Sequence, residues 1–238
     1  MPRFPWRPLR RGLAALVVLS LAAACALPGP QHALAPGLNG LQRIAPGVYS
    51  DAPGSAEAQR MALAEARARI EPFHGDVMPG RMILCTAQPC ADRMRIGVLG
   101  LAYGDRLVII GPAGITPAVI GHELAHVGLH RRVGLSGRLQ SRMPRWFDEG
   151  LAVWLSPDPR YLRPDLARDA EWITQARSLR DWKSVVTKDS WPAVYGAAGR
   201  MVEAIAGEIG AEGLHRLIEA TAKGADFDAT LARLRADA

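Results

Sequence analysis

Cysteine is scarce in this chain, with three residues in 238, and that scarcity excludes a metal site built on thiolates. Cys85 and Cys90 would need further ligands beside them, and none stands nearby. A comfortable membrane span is also missing, because the apolar run Leu13 to Ala24 falls short of the ~20 residues a helical crossing needs. Gly97, Gly100 and Gly104 make no nucleotide-binding fingerprint, since strand, turn and helix around them are in the wrong places; they mark turns or close backbone approach. No wall-binding repeat is visible. Excess charge is absent too once the first residues are set aside. Without Arg3, Arg7, Arg10 and Arg11, 25 basic residues face 23 acidic ones and the formal charge falls from +6 to +2. The basic balance therefore gives no case for nucleic-acid binding.

Those four arginines, the apolar run after them and the small residues that follow have the layout of a signal peptide over residues 1–24, so export is expected. The stretch Leu21-Ala22-Ala23-Ala24-Cys25 resembles the lipobox of bacterial lipoproteins, with alanine in place of leucine three residues before the cysteine. The resemblance implies a lipid anchor on Cys25. Ordinary cleavage near Ala24, releasing a soluble periplasmic protein, is the other reading. Residues 25–50, rich in proline and glycine, then read as a tether, and 51–238 as one domain.

His122-Glu123-Leu124-Ala125-His126 carries the chemistry. Residues four apart on a helix share a face, so His122 and His126 can offer imidazole nitrogens to one ion while Glu123 stands beside it as a general base. Catalytic zinc takes three protein ligands and keeps one position open, and Glu149 is the choice for the third. The flanks suit a helix. Leu107 to Ile110 reads as a short buried strand, Gly111 to Gly114 as a turn, Thr116 as an N-cap and Pro117 as the first residue of a helix to about His130. Alone, the five-residue motif is weak; with Trp146-Phe147-Asp148-Glu149-Gly150 downstream it becomes specific.

Together these residues resemble the zincin superfamily of metallopeptidases, in its glutamate-ligand branch. Pro144-Arg145-Trp146-Phe147-Asp148-Glu149-Gly150-Leu151-Ala152 is similar to the Pro-x-Trp-x-x-Glu-Gly-x-Ala segment of bacterial peptidase MA-like domains. The likeness covers roughly Leu107 to Leu231. It implies Zn2+ held by His122, His126 and Glu149, with Glu123 as base. Related families also place a tyrosine at the start of a later helix facing the metal, which falls on Tyr195; Tyr161 and Tyr103 are alternatives, and Arg200 is a weaker candidate that solvent or Glu203 would satisfy. The chain departs from the thermolysin-like branch at Val153, where an aspartate would hold a zinc histidine. Asp148 is either that carboxylate or a surface residue at a helix start. His130 is either a further ligand or a last-turn histidine favoured by the helix dipole.

In an oxidising compartment Cys85 and Cys90 read as a local disulfide, with free or catalytic thiols as the alternative. Ser55 to Phe73 reads as an amphipathic helix packed through Met61, Ala62, Ala64, Ala66 and Ile70, and Arg81 to Thr86, Ile96 to Leu99 and Leu107 to Ile110 as strands. From Pro144 the chain reads as helical: Pro144 to Leu155, Asp169 to Arg177, Pro192 to Ile209 with Gly210 as stop, Glu212 to Ala222 and Phe227 to Leu234. Trp146, Trp154, Trp172, Trp182 and Trp191 are expected in its core, with one or two of them lining a substrate cleft as the alternative. Arg131, Arg132, Arg138 and Arg142 are expected in a solvated loop, the alternative being that the loop overhangs the cleft and favours acidic substrates. The fold class is α+β, zincin-like, a small sheet on the motif helix (to about residue 135) followed by a helical lobe (from about 144). Three functions remain open at this point: a zinc peptidase acting on an envelope peptide or protein, an envelope amide hydrolase, and a noncatalytic zinc-binding envelope protein. A monomer is expected.

Overall fold

Two short apolar runs set the sheet. The computed structural model describes residues 30–139, 142–161 and 171–238; the expected signal peptide, Cys25 and the start of the helix expected from Asp169 lie outside them. Met82, Ile83 and Leu84 of β3 (Arg81–Leu84) and Val108, Ile109 and Ile110 of β5 (Leu107–Ile110) are fully buried. Strands covered on both faces must be apolar at every position, and these two pair in parallel with Met82 opposite Val108. β2 (Val48–Ser50) runs parallel to β3, while β1 (Gln42–Ala45) and β4 (Gly100–Tyr103) form antiparallel edges, giving the order β1-β2-β3-β5-β4.

Two expectations need correcting here. The segment read as a tether contains β1 and β2 from Gln42 onward, because Val48 is buried in the core beneath the sheet. The strand expected at Ile96–Leu99 lies instead at Gly100–Tyr103. Ile96 turns away to pack with Ile83, Met94 and Ile109 on the far face.

Alternation along β3 and β5 sends Met82, Leu84, Val108 and Ile110 to one face and Ile83 and Ile109 to the other. The second face is covered by α1 (Pro30–Leu34) and α3 (Gln88–Met94), with the Cys85–Cys90 disulfide joining β3 to α3. The first face carries α2 (Ala56–His74), whose buried residues Gln59, Leu63, Ala66, Ile70 and Phe73 make one stripe at helical spacing. Met61 and Ala64 fall off that stripe and face solvent, contrary to expectation.

The motif helix α4 (Pro117–Leu139) lies on the same face as α2. Thr116 caps it as expected, its hydroxyl accepting from the Val119 N–H at 3.2 Å. It runs past His130, and the interruption comes at Gly134, whose φ of 67° only glycine adopts freely. The arginines expected in a solvated loop therefore tie this end down: Arg131 donates to the Asp76 and Met78 carbonyls, Arg132 to those of Phe73 and His74, and Arg142 to that of Ala222. The side chain of Arg138 lies outside the described set.

The C-terminal lobe comprises α5 (Arg145–Leu155), α6 (Leu179–Val185), α7 (Trp191–Ala222) and α8 (Phe227–Ala236), with a 3-10 turn at Glu171–Gln175 where a longer helix was expected. The expected stop at Gly210 is a break inside α7, with φ 69°. α5 and α7 cross at backbone contact: a Cβ on Gly150 would lie 2.3 Å from the Ala198 carbonyl oxygen. Glycine after Glu149 is therefore what lets the two helices approach and fixes where Glu149 points. Trp146 and Trp182 are core residues, whereas Trp154 and Trp191 are half-buried and Trp172 is exposed. Among the described residues no helix is long and apolar enough to cross a membrane.

Candidate metal centre

α4 delivers His122, Glu123 and His126; the first two turns of α5 deliver Asp148 and Glu149. All five are buried. So many ionisable groups withdrawn from water are tolerable only when they are paired, hydrogen-bonded or bound to a cation. His122 Nε2 and His126 Nε2 are 3.2 Å apart, and Glu149 Oε2 lies 3.3 Å from the first and 3.5 Å from the second. Bonds of about 2.0–2.1 Å at the tetrahedral angle put ligand atoms roughly 3.3–3.4 Å apart, so this triangle has the dimensions of three ligands around one zinc ion.

The hydrogen-bond pattern supports the same fit. His126 Nδ1 donates to Asp148 Oδ1 at 2.6 Å, which leaves Nε2 of the neutral ring as a bare lone pair facing a carboxylate. A cation between them removes that conflict. Without one, a second proton does: burial disfavours the imidazolium, but Asp148 and Glu149 outweigh it and hold His126 well above its ordinary pKa. A second grouping, His126, His130 and Asp148, also has the ligand types for an ion. The 2.6 Å separation of His126 and Asp148 is a hydrogen bond with no room for a metal, and His130 Nε2 reaches Asp148 Oδ2 at 3.4 Å. His130 thus sits behind the site, stacked on His126 with ring centroids 5.7 Å apart. His130 stands in the last turn before the break at Gly134, as one expected reading had it, with its ring also drawn toward Asp148.

Asp148, one of whose expected readings was a surface residue, is the carboxylate that holds a candidate zinc histidine. Arg145 completes the network, with Nη1 2.6 Å from Asp148 Oδ2 and Nη2 2.5 Å from Glu149 Oε1. Burial pushes both carboxyls up, yet Arg145 and His126 outweigh it and keep them below the usual carboxylate range. The guanidinium in turn is held above its usual pKa, because the two carboxylates outweigh its own burial. Glu149 therefore turns one oxygen to the histidines and the other to Arg145. Sequence reasoning missed Arg145, although its spacing of three and four from the two carboxylates on one helix was the signal.

Glu123 lies against β4. A Cβ on Gly100 would fall 2.7 Å from Glu123 Cγ, and the Ala102 backbone hydrogen-bonds the carboxylate. Burial raises the pKa of Glu123, with His122 and His126 offsetting part of the effect. That direction suits a base that must take and return a proton near neutrality.

Tyr195, in the second turn of α7, faces the site with its ring centroid 5.9 Å from that of His122. It stacks on Tyr161 at 5.3 Å and meets Trp182 edge-on at 5.1 Å. Burial and then Glu149 push its hydroxyl upward, so it remains protonated and able to donate. Tyr161 lines the same cavity, its hydroxyl pushed up to about 12 by burial. Tyr103 packs on the opposite face of the sheet, away from the site.

A cavity of about 340 Å³ opens beside His122 and Glu123, walled by Val98, Gly100, Trp191 and Tyr195. A second of about 340 Å³ continues past Ala102 and Glu149 to Leu179 and Lys183. The two share His122, Glu123 and Tyr195, so the candidate centre lies at the middle of one cleft between β4 and α6. This is a zincin-like arrangement: mixed sheet, motif helix, and a ligand carboxylate from the next helix. No family model, curated protein or solved structure matches the chain.

Proposed function

We propose that this protein is a zinc-dependent peptidase hydrolysing peptide bonds, with His122, His126 and Glu149 as the metal ligands. The observation that carries the reading is the convergence of those three ligand atoms, 3.2 to 3.5 Å apart, at the floor of a cleft beside a buried glutamate. A bound zinc ion would lower the pKa of water and polarise a carbonyl.

The chain's own residues supply the rest. Glu123 takes the proton of the attacking water and passes it to the leaving amine nitrogen. The Tyr195 hydroxyl donates to the oxygen that becomes negative. Asp148 fixes the tautomer and orientation of His126. β4 is the sheet edge: Leu99 C=O accepts from Gly111 N–H, so by alternation the Gly100 backbone and the Ala102 carbonyl turn outward to the cleft, the Ala102 N–H being held by Glu123. An extended peptide can add to such an edge through main-chain hydrogen bonds, which favours a peptide over other amides.

The leader and Cys25 place this activity, in our reading, in the cell envelope, with the chain exported and held to a membrane by a lipid or released into the periplasm. The test is zinc per chain in wild type, Glu149→Ala and Glu123→Gln, together with turnover of a peptide mixture. One zinc in wild type, a sharp fall in Glu149→Ala, and a Glu123→Gln protein that keeps zinc but loses turnover by about 10²-fold or more would support the assignment. A wild type that stays metal-free when zinc is supplied would sink it.

A further inference from the structure

The two ends of the cleft differ. At one end the cation is already engaged: Arg160 makes a two-pronged pair with Asp158, Nη2 to Oδ2 at 2.5 Å, and lies over the rings of Tyr161 and Trp191. At the other end, beyond Ala102, the cavity walls carry His130, Arg145 and Lys183, and an adjoining hollow adds Arg177. His130 and Arg145 are drawn to Asp148 and Glu149, and Arg177 is paired with Asp228 at 2.9 Å. The Lys183 side chain has no hydrogen bond or ion pair among the described residues, and the carboxylates of those walls, Glu123, Asp148 and Glu149, are all buried in the centre itself.

Apolar exposure is concentrated along the same groove. Seven large apolar side chains stand exposed among the described residues, and three of them, Val98, Leu101 and Leu179, line this cavity. Leu179 and Lys183 are four apart on α6, hence on one face, and Leu101 stands opposite on the edge strand. A solvated lysine elsewhere on the surface would say nothing. Here an uncommitted ammonium and two aliphatic walls border the passage that a chain laid along β4 must take.

Resting on the peptidase reading above, we infer that this end of the cleft is a subsite for an acidic side chain, with Lys183 as its specificity-determining residue. The substrate class is then an extended peptide segment carrying aspartate or glutamate among aliphatic residues, the acid lying on one side of the cut bond. The lysine is exposed, so its selectivity is a screened, single-charge effect of about three- to fivefold.

The test is mass-spectrometric profiling of the cuts that the zinc-loaded protein makes in a peptide mixture, compared with Lys183→Glu and with Lys188→Glu. Lys188 is exposed and lies outside the cleft walls, so that control makes the same change in net charge. Wild type should enrich Asp and Glu on one side of the cut about three- to fivefold. Lys183→Glu should reverse the preference toward Lys and Arg, and Lys188→Glu should leave it in place. Cuts that ignore charge, or a preference that Lys183→Glu does not move, would overturn the subsite while leaving the peptidase reading intact. If wild type cuts nothing, binding of labelled Glu-containing and Lys-containing peptides to the zinc-loaded protein decides it. Lys183-dependent preference for the acidic peptide keeps the subsite and discards the hydrolysis; equal binding discards both.

Discussion

Asp148 holds His126 from behind: its Oδ1 is 2.6 Å from Nδ1, while Nε2 of the same ring points toward His122 and Glu149. A charge-assisted hydrogen bond at that distance selects the tautomer with a free Nε2 and stops the ring turning. It also means that two neighbouring residues of α5 serve the same histidine, Glu149 on one nitrogen and Asp148 on the other.

Asp148→Asn keeps the shape and removes the charge. Zinc affinity should fall by about 10- to 100-fold, measured by competition with a chelator of known strength. A milder loss than in Glu149→Ala is expected, because no ligand atom is removed. Unchanged affinity would mean that packing alone orients His126.

Arg145 neutralises two carboxylates at once. Arg145→Met leaves Asp148 and Glu149 buried without their cation, and the metal-free protein should lose about 3–5 kcal/mol, read from urea unfolding. Zinc, supplying positive charge at Glu149, should restore part of that loss. Arg145→Lys should not rescue it fully, since one ammonium cannot reproduce a fork that reaches two carboxylates at 2.6 and 2.5 Å. Equal stability of the methionine variant and wild type would show that the pair does not need the guanidinium.

Gly100 is placed by Glu123 rather than by a turn. Its φ lies outside the left-handed region, but a Cβ would sit 2.7 Å from Glu123 Cγ and 2.8 Å from Oε1. Gly100→Ala should therefore displace the glutamate and lower turnover by about tenfold or more while zinc content stays at the wild-type level. Loss of zinc along with activity would instead point to a shift of the whole of α4.

What the sequence disclosed and what it hid follow from the range of the interactions. Thr116 and Pro117 signal a helix start through local backbone chemistry, so the strand, turn and helix from Leu107 were readable in place. Glu149 was readable through its motif. Asp148 was ambiguous because adjacency on one helix only says that two side chains point about 100° apart; it does not say that α5 meets α4 so that both directions reach one imidazole. β4 was misplaced by a few residues because Ile96 looks like strand material but is taken by the opposite core, and Gly100 looks like a turn but is an edge-strand residue under Glu123. Lys183 offered no signal at all, since only the packing of α6 opposite β4 makes an ordinary surface lysine part of the cleft.

His74 links α4 to pH. Its ring presses on α4 at Gly128, where a Cβ would lie 2.4 Å from His74 Cγ, and both ring nitrogens are buried without a partner among the described residues. Burial, with Arg132, His215 and His126 adding to it, lowers its pKa from 6.5 to about 3. A base whose folded pKa is depressed stabilises the fold above its unfolded pKa and loses that contribution as pH falls. Between 6.5 and about 3 the unfolded chain takes up a proton at His74 that the native state refuses. The loss should amount to about 2 kcal/mol between pH 7 and pH 5. In His74→Leu that increment should vanish, so urea unfolding of chelator-treated wild type and variant at the two pH values should show a steeper acid loss in wild type by about 2 kcal/mol. Equal slopes would mean that His74 accepts its proton in the folded protein, and that the ring can leave Gly128 without unfolding the helix that carries His126.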